Sequence, residues 1–233
     1  MGRAGWVLWL LCIAGCERDV RADAKTLPRQ RREDTAVTRE TQRDAGSLAP
    51  LVVFLGDSIT AGLQLPAQQA FPAVLASLLA AGGTPIRLAN AGVSGDTAAG
   101  GLRRVDWVMK QKPALVVVEL GANDGMRGLP VATLEQNLRA IVLRIRELGA
   151  RPVLLGMVLP PSYGSAYTHD FSDVYARVAR ELDVPFVPYF MEGVAGVAEL
   201  NFPDGIHPTA LGHQRIASKL LPTFTALLAP SGS

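Results

Sequence analysis

A serine hydroxyl is a poor nucleophile until a neighbouring base accepts its proton. The chain contains three histidines that could act as that base: His169, His207 and His213. His207 lies in Asp204-Gly205-Ile206-His207-Pro208. The carboxylate three residues upstream is close enough to hydrogen-bond the far imidazole nitrogen and fix its tautomer, and Gly205 allows the tight turn this needs. Pro208 restricts the backbone of His207 and begins the last helix. His213 falls inside that helix with no acid beside it, which suits a surface or packing residue. His169 adjoins Asp170 in a polar stretch expected to be an exposed loop. The matching nucleophile is Ser58, in Gly56-Asp57-Ser58-Ile59-Thr60. A helix N-cap is the competing role for this serine, so Ser58 is weighed together with what else the chain offers.

Acyl transfer also needs donors aimed at the oxyanion that develops on the substrate. Gly92, in Asn90-Ala91-Gly92-Val93-Ser94-Gly95-Asp96, and Asn123, in Gly121-Ala122-Asn123-Asp124, have the right chemistry. A glycine N–H can approach a substrate closely, and an asparagine amide is a neutral donor. Taken singly, each also reads as a turn residue. No Gly-x-Ser-x-Gly stretch occurs; Ser94 misses the pattern by its final glycine, which argues against the common α/β-hydrolase elbow.

The elements that must position these residues follow from hydrophobic patterning. Residues 51–55 are a continuous apolar run of the kind found in strands buried on both faces, and 115–120, apolar except for Glu119, is the clearest strand. Further strands are expected over 86–91, 153–158 and 186–187. Helical spacing covers 71–81, 97–110, 134–148, 171–182 and 210–228, with Asp96 and Thr97 capping the second of these. Repeated strand–helix alternation implies a parallel sheet covered on both sides, a three-layer α/β/α domain of the α/β class with five mainly parallel strands. Ligands bind such sheets at the carboxyl ends of the strands. Ser58, Gly92 and Asn123 each follow an expected strand, and Asp204 and His207 precede the last helix, so all can converge on one face.

The four blocks in this order, Gly-Asp-Ser, a later Gly, Gly-x-Asn-Asp and Asp-x-x-His, resemble those of the SGNH (GDSL-type) hydrolases, over residue 51 to about residue 221. Ser94-Gly95-Asp96-Thr97, Glu119-Leu120-Gly121-Ala122-Asn123-Asp124-Gly125 and Phe190-Met191-Glu192 are similar to the bacterial thioesterase I/lysophospholipase L1 and arylesterase group. The resemblance implies a flavodoxin-like SGNH fold and a serine esterase without cofactor or metal. It implies a triad of Ser58, His207 and Asp204, and an oxyanion hole from the N–H groups of Ser58 and Gly92 and the side chain of Asn123. Asp57 and Asp124 read as loop-shaping residues. The loops 125–130 and 159–171 flank the expected site, and their Met126, Leu129, Tyr163 and Tyr167 are expected to line an acyl groove. Fatty-acyl or aryl esters, acyl thioesters and lysophospholipids are the implied substrates. A carbohydrate acetylesterase and a non-catalytic lipid- or glycan-binding lipoprotein are the alternatives.

Bulk properties limit the remaining options. Of 233 residues, 48% are hydrophobic and 6% aromatic, enough Ala, Val and Leu for one packed α/β core. The net charge of +2 gives no support for nucleic-acid binding, which needs a basic face. Cys12 and Cys16 are the only cysteines, so the domain has no internal disulfide, thiol nucleophile or Cys metal site. Both lie in an N-terminal segment with Arg3, a short apolar run and Ile13-Ala14-Gly15-Cys16. This resembles a lipoprotein lipobox, with Cys16 lipidated and held to a membrane; a plain secretory signal is the alternative. The expected organisation is a signal peptide over 1–15, a lipid-anchored charged linker over 16–49, the hydrolase domain over 50–229 and a tail over 230–233. A bacterial cell-envelope location follows from that reading.

Overall fold

In a computed structural model, the structure describes residues 49–229; the expected signal peptide with Cys12, Cys16, most of the expected linker and the expected tail lie outside the described residues. Five strands form one sheet: β1 (Leu51–Gly56), β2 (Arg87–Gly92), β3 (Leu115–Glu119), β4 (Arg151–Leu155) and β5 (Phe186–Val187). Their order is β2-β1-β3-β4-β5 and every pairing is parallel. The apolar runs explain the centre of the sheet: all residues of β1 and β3 are buried, as expected for strands covered on both faces. Edge strand β2 is only partly covered.

The helices are α1 (Ser58–Ala61), α2 (Phe71–Ala81), α3 (Ala98–Met109), α4 (Ala122–Met126), α5 (Val131–Glu147), α6 (Ser165–Glu181) and α7 (Ala210–Leu228). α2 packs on α7, while α3 packs on α5 and α5 on α6, giving two helical layers around the sheet. Chain direction across the sheet reverses between β1 and β3. A crevice opens at such a switch point beyond the strand ends. The register makes the ends coincide, since Gly56 pairs with Gly92 on one side and Glu119 on the other. Three loops expected to carry chemistry therefore leave the sheet side by side. No helix among the described residues is long and apolar enough to cross a membrane.

Several boundaries differ from the expected ones. The fourth strand ends at Leu155, where its partner β5 runs out at Val187; Met157 and Leu159 are thereby released from the sheet. Gly164, at φ 89°, turns the chain so that α6 starts six residues before position 171. Tyr167 and His169 thus lie on a helix rather than in a loop. His169 is exposed on α6 and pairs with Asp173 at 3.2 Å. Two short helices, α1 and α4, replace expected loops directly after β1 and β3.

His213 is a buried packing residue, and it also acts as a cap. It is 1% exposed, stacks on Phe71 with ring centroids 6.2 Å apart and accepts the Phe71 N–H through Nδ1 at 3.0 Å. Ala70, at the start of α2, has no side chain to cap that helix, so α7 supplies the cap. Burial pulls the His213 imidazole down from 6.5 to about 4. Protonation would also replace the Nδ1 lone pair with a donor facing a donor. Between pH 6.5 and 4 the unfolded chain takes up this proton and the folded one does not, so stability falls as pH drops through that window. The shift corresponds to on the order of 3 kcal/mol. Denaturant titrations of wild type and His213→Gln across this range should show a steeper acid loss in wild type by that amount. Parallel pH dependences would disprove the assignment.

Candidate active site

The last residue of β1 is a glycine because there is no room for a side chain: a Cβ at Gly56 would sit 2.1 Å from Thr60 Oγ1 and 2.6 Å from Glu119 Oε2. Asp57 then caps α1, its Oδ1 accepting the Ile59 N–H at 2.9 Å. Ser58 is the first residue of α1 and is 8% exposed. Its Oγ lies 2.8 Å from His207 Nε2, and His207 Nδ1 lies 2.8 Å from Asp204 Oδ2. Serine, histidine and aspartate, 149 residues apart at the extremes of the Ser–His contact, therefore form one continuous relay.

The local fold of the final loop is set by Asp204. Its Oδ1 accepts the backbone N–H groups of His207 and Ile206, each at 2.9 Å. Gly205 takes φ 69°, a left-handed conformation that a residue with a Cβ adopts only at a cost. The bonds from His207 and Ile206 hold the Asp204 carboxyl down at about 2. It stays ionised at neutral pH and can stabilise an imidazolium on His207.

Asn123 is the second residue of α4. One of its amide hydrogens goes to Asp57 Oδ2 at 3.1 Å, leaving the other for a ligand. Among the described residues the Ser58 N–H donates to no protein acceptor. The expectation for Gly92 is not supported by its geometry. Its N–H already donates to Asn90 Oδ1 at 2.9 Å, and Asn90 Nδ2 in turn donates to Thr60 O at 2.7 Å. Gly92 has a packing role, since a Cβ would come within 2.3 Å of Ala61 N. Further along that loop, the Val93 N–H goes to Gly56 O and the Asp96 N–H to Val93 O, each at 3.0 Å. The amides of Ser94 and Gly95 are left without a protein acceptor among the described residues. Gly95, at φ 79°, presents an uncommitted N–H that reading the loop by residue type alone missed.

Supporting residues behave largely as expected. Thr97 caps α3 by accepting the Gly100 N–H, and Asp124 reinforces that end by accepting the Ala98 N–H at 2.9 Å. Asp96 instead pairs with Arg104 at 2.7 Å.

An apolar cleft of about 90 Å³ adjoins the relay, lined by Ile59, Met126, Met157, Leu159, Met191 and Ile206 among others. Ile59 and Ile206 are chain neighbours of Ser58 and His207. Three of the chain's five methionines face it; unbranched thioether side chains suit a surface that must adapt to different ligands. Of the four expected groove residues, Met126 lines the cleft. Leu129, Tyr163 and Tyr167 do not. The Tyr167 hydroxyl donates to Leu129 O at 2.8 Å and the Tyr163 hydroxyl to Met126 O at 3.3 Å. The tyrosines brace the 125–129 backbone. Met157 and Met191 were not foreseen, because they come from segments that meet only in the folded chain.

A parallel sheet that brings such a relay and convergent N–H donors to its carboxyl edge is the architecture of a serine-type acyl hydrolase. Comparison with known proteins gives the same class. The chain matches the GDSL-like lipase/acylhydrolase family over residues 54–215. It is 45% identical to esterase TesA of Pseudomonas aeruginosa over 181 residues, which cover 77% of this chain and 90% of that protein. It is 40% identical to thioesterase 1/protease 1/lysophospholipase L1 of Escherichia coli K12 over 161 residues, 69% of this chain and 76% of the relative. The crystal structure of the psychrotrophic esterase EstA from a Pseudoalteromonas species, inhibited by monoethylphosphonate, superposes with a TM-score of 0.74 at 30% identity, covering 78% of this chain and all of that one. The chain belongs to the GDSL-like lipase/acylhydrolase family and is a carboxylic ester hydrolase.

Proposed function

We propose that the enzyme hydrolyses acyl esters and thioesters through an acyl-enzyme on Ser58. The observation that carries this is the unbroken contact from Ser58 Oγ through His207 to Asp204 beside an apolar cleft. His207 takes the Ser58 proton as Oγ attacks the carbonyl, and returns it to the leaving alcohol or thiol. The Ser58 N–H, the Gly95 N–H and the Asn123 amide hold the oxyanion. Water, activated by His207, then releases the acid.

The methionine-lined cleft supports an acyl chain of several carbons in preference to acetyl. Its apolar lining accommodates the first few methylenes. Each buried CH₂ contributes about 0.8 kcal/mol, so kcat/KM should rise about fourfold per added CH₂ from acetate upward in a series of p-nitrophenyl esters, until the cleft is filled. A maximum at acetate would favour the acetylesterase alternative. Failure to label with a fluorophosphonate would favour the non-catalytic one. The TesA and lysophospholipase relatives support placing acyl thioesters and lysophospholipids in the same test panel.

We also propose a cell-envelope location with lipid on Cys16. The support is the apolar N-terminal run ending in Ile13-Ala14-Gly15-Cys16. Stable attachment takes more than one acyl chain. Cys16→Ser should move the enzyme to the soluble fraction or leave it as precursor, with ester turnover unchanged. An unmodified N-terminus downstream of Cys16, found by intact-mass analysis of the membrane fraction, would refute lipidation.

A further inference from the structure

Beneath the nucleophile lie two buried carboxyl groups that the mechanism above does not use. Glu119 ends β3 and is fully buried. Its Oε2 accepts the Thr60 hydroxyl at 2.6 Å and the Asp57 N–H at 3.3 Å. Its Oε1 has no donor. Asp57, 1% exposed, is its immediate neighbour through that N–H bond, and the Asp57 charge raises the Glu119 carboxyl. Its own oxygens accept from the Ile59 N–H and from Asn123 Nδ2. Among the described residues, no lysine or arginine bonds to either carboxyl.

Two neighbouring buried carboxylates, with no cation on either, do not both ionise. The donors say where the shared proton lies. Asp57 receives an N–H on each oxygen, the pattern that stabilises an anion. Glu119 receives both its donors on one oxygen, which suits the carbonyl oxygen of a neutral acid. An ionised Oε1, buried without a donor, would carry the whole desolvation penalty. As the neutral acid Glu119 gains a function, because the carboxylate of its neighbour Asp57 can accept its proton. We propose that Glu119 is a positioning residue held as the neutral acid, donating its proton to Asp57 so that the Asp57 carboxylate anchors the amide of Asn123 at the oxyanion site. The chain of contacts is Glu119, Asp57, Asn123, and it explains the missing side chain at Gly56, whose Cβ would occupy the space of Thr60 and Glu119.

This inference rests on the reading of Asn123 as an oxyanion donor. Its consequence is electrostatic. Loss of the Glu119 proton places a second negative charge behind the site where the substrate's own negative charge develops, so kcat falls in alkali. Burial, followed by the charge of Asp57, holds the Glu119 carboxyl well above the usual range. The other titratable or charged groups around the pair are already engaged: His207 with Ser58 and Asp204, Tyr175 of α6 with Leu120 O at 2.9 Å, Asp124 of α4 with the Ala98 N–H, and Arg104 of α3 with Asp96 and the carbonyls of Gly56 and Ala91.

Glu119→Gln is the diagnostic variant, because its amide reproduces a neutral acid that both accepts from Thr60 and donates to Asp57. Infrared difference spectra of wild type against Glu119→Gln at neutral pH should show the stretching band of a protonated carboxyl in wild type only. Should the variant fold poorly, pH-difference spectra of wild type alone should lose the same band in alkali. Kinetically, Glu119→Gln should keep kcat within about tenfold at neutral pH, the scale of one altered neutral hydrogen bond, hold KM, and abolish the alkaline fall in kcat. Absence of the protonated-carboxyl band, an unchanged alkaline limb, or an effect on KM alone overturns the inference. A band that is present while Asn123→Ala keeps full kcat sinks instead the oxyanion role of Asn123, so the two failures are told apart.

Discussion

Replacing Ser58 with alanine is expected to lower kcat by on the order of 10⁶-fold, the scale for losing the nucleophile of a Ser-His-Asp relay. The expectation follows from geometry. Ser58 Oγ is the atom that His207 Nε2 contacts at 2.8 Å, and without it no acyl-enzyme forms. Folding should be little affected. The side chain is small, and the capping bond of α1 comes from Asp57 rather than Ser58. The variant should therefore retain wild-type circular dichroism and unfolding midpoint while failing to label with a fluorophosphonate. A purified Ser58→Ala enzyme that hydrolyses p-nitrophenyl esters at the wild-type rate would eliminate the nucleophile assignment.

Asn123→Ala is expected to reduce kcat by about 10²–10³-fold, the cost of one oxyanion donor or about 2.7–4 kcal/mol, with KM little changed. It should also cost stability. Asp57 Oδ2 loses its donor at a buried site, and a stranded buried acceptor costs about 1–3 kcal/mol. Rates must therefore be normalised to active sites counted by burst titration. A raised KM with unchanged kcat would make Asn123 a substrate-positioning residue and remove it from the oxyanion hole.

The sequence alone determined the sheet and the relay. Apolar runs at 51–55 and 115–118 are sufficient to identify strands buried on both faces, because few other environments accept them. Asp204 and His207 are legible as a pair because three residues and a glycine form one turn, and a local turn is encoded locally. Ser58 and Asn123 are legible because each follows a strand, where a parallel sheet presents its ligands.

The tertiary structure decided whatever depended on partners distant along the chain. Gly92 and Gly95 are equally plausible donors by residue type; only the bond from Gly92 to Asn90 shows which N–H is already engaged. Tyr163 and Tyr167 look like groove residues until their hydroxyls are found on backbone carbonyls 37 and 38 residues away. The apolar cleft collects methionines from three segments far apart in the chain, and no periodicity within a single segment could predict that meeting. His213 caps a helix 142 positions distant. Asp57 acquires a buried carboxyl neighbour from a strand 62 positions on. Hydrophobic period and turn chemistry act over a few residues, whereas hydrogen-bond satisfaction and burial are properties of neighbours in space.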